Sequence, residues 1–373
     1  MSNCDFFSLA TQGVQALSPY QPGKPIDELE REYGISKAIK LASNENPLGP
    51  SPEVVEKIKA ALNDLSRYPD GNGFKLKKAL ADKHAININQ ITLGNGSNDI
   101  LEILTRAFVS PEHEVVFSQH AFAVYPIVTQ AVGAKAIVVP AKNWGHDLDA
   151  MQAAITDKTR VIFIANPNNP TGTWLGKSEL ANFIKLVPEN VLIVLDEAYF
   201  EFAFDKALGA TDYPNGIEWI NEYPNLIVTR TFSKAYGLAG LRAGYSVSSP
   251  QVADVLNRVR QPFNVNSLAL LAAETALGDT EYLESGIALN AQGMQQLVTA
   301  FNEMGLDFIP SVGNFVCVNV ADNGMKVYEQ LLREGVIVRP VANYEMPEYL
   351  RITIGTQDEN NRFIMALKKV LNK

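Results

Sequence analysis

Residues 226–245 read LIVTRTFSKAYGLAGLRAGY, and the fold hangs on how this stretch is read. Leu226–Val228 is an apolar run with the signature of a buried strand. The chain turns polar at Thr229–Arg230–Thr231, presents Ser233 and Lys234, and reaches glycines 237, 240 and 244 around Arg242. An amine just past a buried strand sits where desolvation and nearby cations lower its pKa from about 10.4, the condition for attacking an aldehyde. Arg242, the hydroxyls of Thr231 and Ser233 and glycine-exposed N–H groups suit a phosphate. A lysine that bonds an aldehyde beside a phosphate cradle is what pyridoxal 5'-phosphate (PLP) requires. A solvated loop lysine with a surface arginine is the plainer alternative for the same residues.

Upstream, VIFIANPNNPTGTW (161–174) and VLIVLDEAYF (191–200) are further apolar runs that end in polar residues, with a helix expected over Lys177–Leu186 between them. Strands alternating with helices at this spacing predict a mostly parallel α/β sheet with right-handed crossovers. Ligands of such sheets sit beyond the carboxyl ends of the strands. Asn169, Asp196 and Lys234 follow three successive apolar strands, so their side chains are expected in one crevice.

Ile91–Phe108, ITLGNGSNDILEILTRAF, reads as strand, glycine turn and helix. Gly96, Ser97 and Asn98 lead into the helix, where free N–H groups and the dipole favour an anion. A dinucleotide fingerprint fails because Asp99 stands where its third glycine belongs. Single-phosphate binding and a plain capped helix both remain open. TGTWLGKS (171–178) is not a P-loop, since Thr171 replaces the first glycine. Tyr125, before Pro126, reads as core packing when taken alone.

The chain divides into an N-terminal arm (1–45), a large domain (46–260) and a smaller α+β domain (261–373). In the arm, SPYQPGKP (18–25) favours extended or turn structure and IDELEREY (26–33) a short charged helix. The loop KLASNENPLGPSP (40–52) carries Asn44 and Asn46 in what reads as turn chemistry. Arg339 and Arg351, in the last strands, default to the surface.

With 46% apolar and 20% charged residues the chain is an ordinary globular one, and its net charge of −9 argues against nucleic-acid or anionic-membrane surfaces. No apolar run reaches the roughly 18 residues of a membrane span, and no signal peptide is recognisable. Two distant cysteines, Cys4 and Cys317, fit a reduced cytoplasmic setting. No metal site is expected: His113–Glu114 opens an HExxH pattern that Phe117 breaks.

Taken together, NNPTG (168–172), DEAY (196–199) and TFSKAYGLAGLRAGY (231–245) resemble fold type I PLP-dependent aminotransferases over nearly the whole chain. RYPDG (67–71), GNGSNDIL (94–101), VIVRP (336–340) and YLRITIG (349–355) narrow the likeness to the histidinol-phosphate aminotransferase family. The resemblance implies that Lys234 bonds the cofactor and then shuttles a proton, and that Asp196 pairs with the pyridinium nitrogen. It implies that Asn169 and Tyr199 reach the ring's phenolate oxygen and that Tyr125 stacks on the ring. Gly96, Ser97, Asn98, Thr231, Ser233 and Arg242 would hold its phosphate, joined by Tyr68 from a second subunit of a homodimer. Tyr20, Asn44, Arg339 and Arg351 would receive the substrates, histidinol phosphate and 2-oxoglutarate or glutamate. An aromatic amino-acid aminotransferase is the alternative, because an imidazole pocket often admits a phenyl ring.

Overall fold

The expected strand runs do lie side by side in a computed structural model, which describes residues 4–19 and 22–373. Its strands are β1 (Ile39–Lys40), β2 (Ile91–Gly94), β3 (Glu114–Ser118), β4 (Lys135–Val139), β5 (Thr159–Ala165), β6 (Leu192–Asp196) and β7 (Leu226–Thr231). Then come β8 (Gly244–Ser248), β9 (Phe308–Ile309), β10 (Phe315–Asn319), β11 (Val336–Ile337), β12 (Arg339–Pro340) and β13 (Tyr349–Thr353).

Seven of them form one sheet in the order β2-β8-β7-β6-β5-β3-β4. The pairs among β3 to β7 are parallel, and β8 runs antiparallel to both its neighbours. Every residue of β6 and β7 is buried, as strands covered on both faces should be. Alternation along the strands separates two cores. Ile162, Ile164, Ile193 and Leu195 join one, and Val161, Phe163, Leu192 and Val194 the other.

β8 was not legible as a strand. Its sequence, GYSVS, alternates serine with larger residues, yet Ser246 and Ser248 are fully buried. The link from β7 holds only a short 3-10 turn, Ala239–Leu241, and no crossover helix, so the chain returns antiparallel. Lys234 therefore sits in a wide β7–β8 connection, closed at its base by Phe232 N–H donating to the Ala243 carbonyl.

The helix Ser267–Gly278, grouped above with the smaller domain, packs against Pro52–Ala61 and Phe74–His84. Its Ala269, Ala272, Ala273 and Ala276 belong to the core of the large sheet. The second sheet is antiparallel in the order β12-β13-β10-β9. It packs on the helices Thr280–Glu303, Gly324–Arg333 and Gln357–Leu371. The short β1 pairs in parallel with β11, and Leu41 joins this second core, so the last part of the arm is tied to the C-terminal part.

Candidate active site

Lys234 is fixed from both sides. Phe232 and Ala235 are buried beside it, and Asn46 Nδ2 donates to the Ala235 carbonyl at 2.9 Å. Gly237 has φ +69°, and an added Cβ there would overlap the Gly49 carbonyl oxygen, so only glycine allows the loop 46–50 to lie against the lysine turn. Lys234 Nζ donates to the Ser43 carbonyl at 2.9 Å. Burial first, then the Arg351 guanidinium, with Arg242 and Lys40 adding and Glu45 opposing, push its pKa down to about 7.

Arg242, in the left-handed region at φ 60°, donates through Nη1 to Ser233 Oγ at 3.1 Å and to the Ala239 carbonyl at 3.2 Å. Thr231 Oγ1 accepts from Ser233 N–H at 3.1 Å. Facing them is the N-terminus of the helix Ser97–Phe108, whose first N–H groups lack intrahelical partners. A Cβ on Gly96 would strike the Arg242 guanidinium, which shows how closely cradle and arginine approach.

Asp196, 4% exposed, ends β6. Thr229 Oγ1 donates to its Oδ1 at 3.0 Å and Tyr125 Oη to its Oδ2 at 2.9 Å. Burial raises its pKa above the usual carboxylate range, against the pull of Tyr125, Thr229 and the Ala198 N–H.

Tyr199 Oη accepts from Asn44 Nδ2 at 2.8 Å and Asn169 Nδ2 at 3.2 Å. With both lone pairs used, its own proton is left to point into the cavity. Burial lifts its pKa to about 12, against Arg351 and the Asn44 hydrogen bond, so it stays protonated at neutral pH. Asn44, expected to serve the turn, is 1% exposed and is itself held by Thr353.

Arg351 departs from the surface expectation: it is buried, donating to Asn169 Oδ1 at 2.6 Å and to the Ala42 carbonyl at 2.7 Å. Its register partner across β12–β13 is Arg339, which also lines the cavity.

One cavity of about 190 Å³ unites Asn44, Ser97, Asn98, Asn169, Asp196, Tyr199, Thr231, Ser233, Lys234, Arg242, Arg339 and Arg351. Tyr125 is a correction. Its ring is fully buried behind Asp196, stacked on Phe163 at 4.6 Å, and does not line the cavity. Of the two aromatics in this segment it is Phe122 that lines the cavity, set edge-on to Tyr125 at 5.8 Å. Both fall within one AFAVY run, and nothing in that run says which ring faces the ligand. Tyr68 is 83% exposed, stacked on Phe263, and not among the residues lining the cavity. Tyr20 lies outside the described residues. Ser43, Asn46 and Tyr344 were missed: their roles come through backbone position and long-range contact, which leave no local signal.

A cavity that sets a low-pKa amine beside a buried carboxylate and an anion cradle, at the carboxyl ends of parallel strands, is suited to chemistry on an amino group. The family model for aminotransferase class I and II matches residues 36–367, and the chain belongs to that family. It is 62% identical over 369 residues to histidinol-phosphate aminotransferase 2 of Pseudomonas fluorescens, covering 98% of each chain. It is 60% identical to histidinol-phosphate aminotransferase 2 of Pseudomonas aeruginosa, over 98% of this chain and 99% of the other. The crystal structure of histidinol-phosphate aminotransferase from Sinorhizobium meliloti in complex with pyridoxal-5'-phosphate matches with TM-score 0.88 at 31% identity, over 97% of each chain. The mixed, mostly parallel sheet flanked by helices is thus the fold type I arrangement.

Proposed function

We propose that this chain is a PLP-dependent aminotransferase that interconverts L-histidinol phosphate and 2-oxoglutarate with imidazole acetol phosphate and L-glutamate, a step of histidine biosynthesis. The observation that carries it is that one cavity holds two separate arginine sites around a single amine. Arg242 is bound to Ser233 at the helix N-terminus, while Arg351 is bound to Asn169 beside Arg339. The first suits the cofactor's phosphate. The second suits the substrate's anion, and relatives of about 60% identity named for histidinol phosphate make that substrate the natural choice. Histidinol phosphate has no carboxylate beside its amine, so its phosphate needs the second site, which the carboxylates of 2-oxoglutarate and glutamate then share.

When bound, PLP supplies an aldehyde that captures amines and a ring that withdraws electrons. The chain's residues supply the rest. Lys234, with a pKa near 7, offers a free amine at neutral pH and removes the proton from the donor's Cα. Asp196, buried from water, would hold a proton on the ring nitrogen. The Tyr199 hydroxyl would meet the phenolate oxygen, Phe122 would cover one side of the ring, and Ser97, Asn98, Thr231, Ser233 and Arg242, which line the same cavity, would hold the phosphate.

A homodimer with shared sites fits a set of exposed apolar side chains. Leu62, Leu65, Tyr68, Phe74 and Phe263 are each more than two-fifths exposed, and Tyr68 stacks on Phe263 at 4.7 Å. No helix among the described residues is long and apolar enough to cross a membrane, and a cytoplasmic setting is part of the reading. The deciding experiment compares kcat/KM for histidinol phosphate, phenylalanine and tyrosine with 2-oxoglutarate. Histidinol phosphate should lead by at least tenfold; parity with the aromatic amino acids overturns the substrate.

A further inference from the structure

Both oxygens of Asp196 carry a donor on the protein side, and one of those donors is an unusual choice. Tyr125 spends a whole aromatic ring, fully buried, to deliver one hydroxyl to Oδ2 at 2.9 Å. The ring is fixed against Phe163 with an interplanar angle of 5° and is met edge-on by Phe122. Within its own helix, Thr129 Oγ1 donates to the Tyr125 carbonyl at 2.7 Å. A phenylalanine would pack in the same space, so core filling does not explain the oxygen.

We propose that Tyr125 is a positioning residue for the transamination: its hydroxyl, with that of Thr229, keeps the Asp196 carboxylate ionised and turned to receive the cofactor's ring nitrogen. This rests on the PLP reading above. A carboxylate without solvent reverts toward its neutral acid, which cannot hold the ring's proton, and hydrogen bonds donated to the charged form oppose that reversion. Burial does push the Asp196 pKa upward while the Tyr125 and Thr229 hydrogen bonds pull it down. Tyr125 has no competing state, because burial and the Asp196 charge hold its own pKa well above the usual phenol range.

The other titratable groups around Asp196 are the same in wild type and variant. Tyr199 and Tyr213 are buried phenols with raised pKa values. Glu197 is bound to the buried guanidinium of Arg230. His146 donates to the carbonyl of Ala165, the cross-strand partner of Asp196, and burial lowers its pKa. Lys234, whose pKa lies near 7, is unchanged in the variants below.

The test is PLP binding to the apoprotein as a function of pH, by equilibrium dialysis, for wild type and Tyr125→Phe, with thermal unfolding of both apoproteins. Titration of PLP itself is common to the two and cancels. The expected result is that the pH below which binding is lost moves up by about one unit in Tyr125→Phe, since a hydrogen bond to a charged group is worth roughly a tenfold change. The dissociation constant at pH 8 should rise about threefold to thirtyfold, and kcat should fall about tenfold with KM for the amino donor within twofold. An unmoved pH midpoint, whatever happens to thermal stability, assigns Tyr125 to packing and overturns the proposal. If Tyr125→Phe does not fold, Thr229→Val removes the other donor and must show the same upward movement, failing which the proposal is wrong. Wild-type protein that takes up no PLP would sink the cofactor reading itself, a result distinct from an unmoved midpoint.

Discussion

Arg351 and Tyr199 are joined through one amide. Arg351 Nη1 donates to Asn169 Oδ1 at 2.6 Å, and Asn169 Nδ2 donates to Tyr199 Oη at 3.2 Å. A guanidinium can only donate, so it fixes which end of Asn169 faces the tyrosine. An anion gripping Arg351 is therefore felt at the Tyr199 phenol, which lines the same cavity. Arg351→Ala should raise KM for histidinol phosphate by about 10²-fold or more, the scale of a lost bidentate charge-assisted contact. Arg351→Lys should recover little of this, because an ammonium cannot reach both Asn169 and the Ala42 carbonyl in a fork. Steady-state kinetics of the two variants check it, and an unchanged KM removes Arg351 from the anion site.

Lys234 should be the residue labelled when the holoenzyme is reduced with borohydride. Lys234→Ala should keep PLP without a covalent link and lose transamination. In the apoprotein, acylation of this amine should rise through pH 7 and not through 10.4, because its neutral form is present above the lowered pKa. Mass spectrometry of pulse-labelled protein across pH 5–9 reads the midpoint.

Asp196→Asn should still bind PLP through the phosphate cradle, yet fall in kcat by about 10²–10⁴-fold. An amide cannot carry the charge that keeps the ring nitrogen protonated in so dry a site. Pre-steady-state absorbance separates binding from turnover.

Behind the site, Arg230 Nε and Nη2 both donate to Glu197 Oε2, at 3.0 and 2.7 Å, and the pair is buried. Arg230→Met alone leaves a carboxylate without its cation and should cost about 3–5 kcal/mol. Gly237→Ala meets both a positive φ and the Gly49 carbonyl, and should cost about 2–5 kcal/mol with loss of cofactor affinity. Chemical denaturation of the apoproteins measures each.

If Tyr68 completes a neighbour's site, Lys234→Ala and Tyr68→Ala homodimers should both be weak enzymes. Mixing them after partial dissociation should then restore up to about a quarter of wild-type activity in one hybrid site, a statistical bound for random exchange. No recovery despite subunit exchange seen by native mass spectrometry argues against a shared site.

Much of this protein is written locally. Strands such as LIVLD and LIVTRT open on apolar runs and are buried on both faces, as central parallel strands are, and the polar residues at or just past their ends, Asp196 and Lys234, reach the crevice by the direction of the chain. The glycines before Ser97 and around Arg242 left an anion site and a plain capped helix both open, and only the fold brings Gly96 against the Arg242 guanidinium. Tertiary structure decided what depends on partners far along the chain. Arg351 is buried because Asn169 and Ala42, remote in sequence, close over it. Ser246 and Ser248 lie in a strand because β2 and β7 flank them, against the weak pattern of their own segment. Phe122 took the cavity and Tyr125 the carboxylate because a helix beginning between them turns their rings in different directions, an angle that residue spacing does not encode.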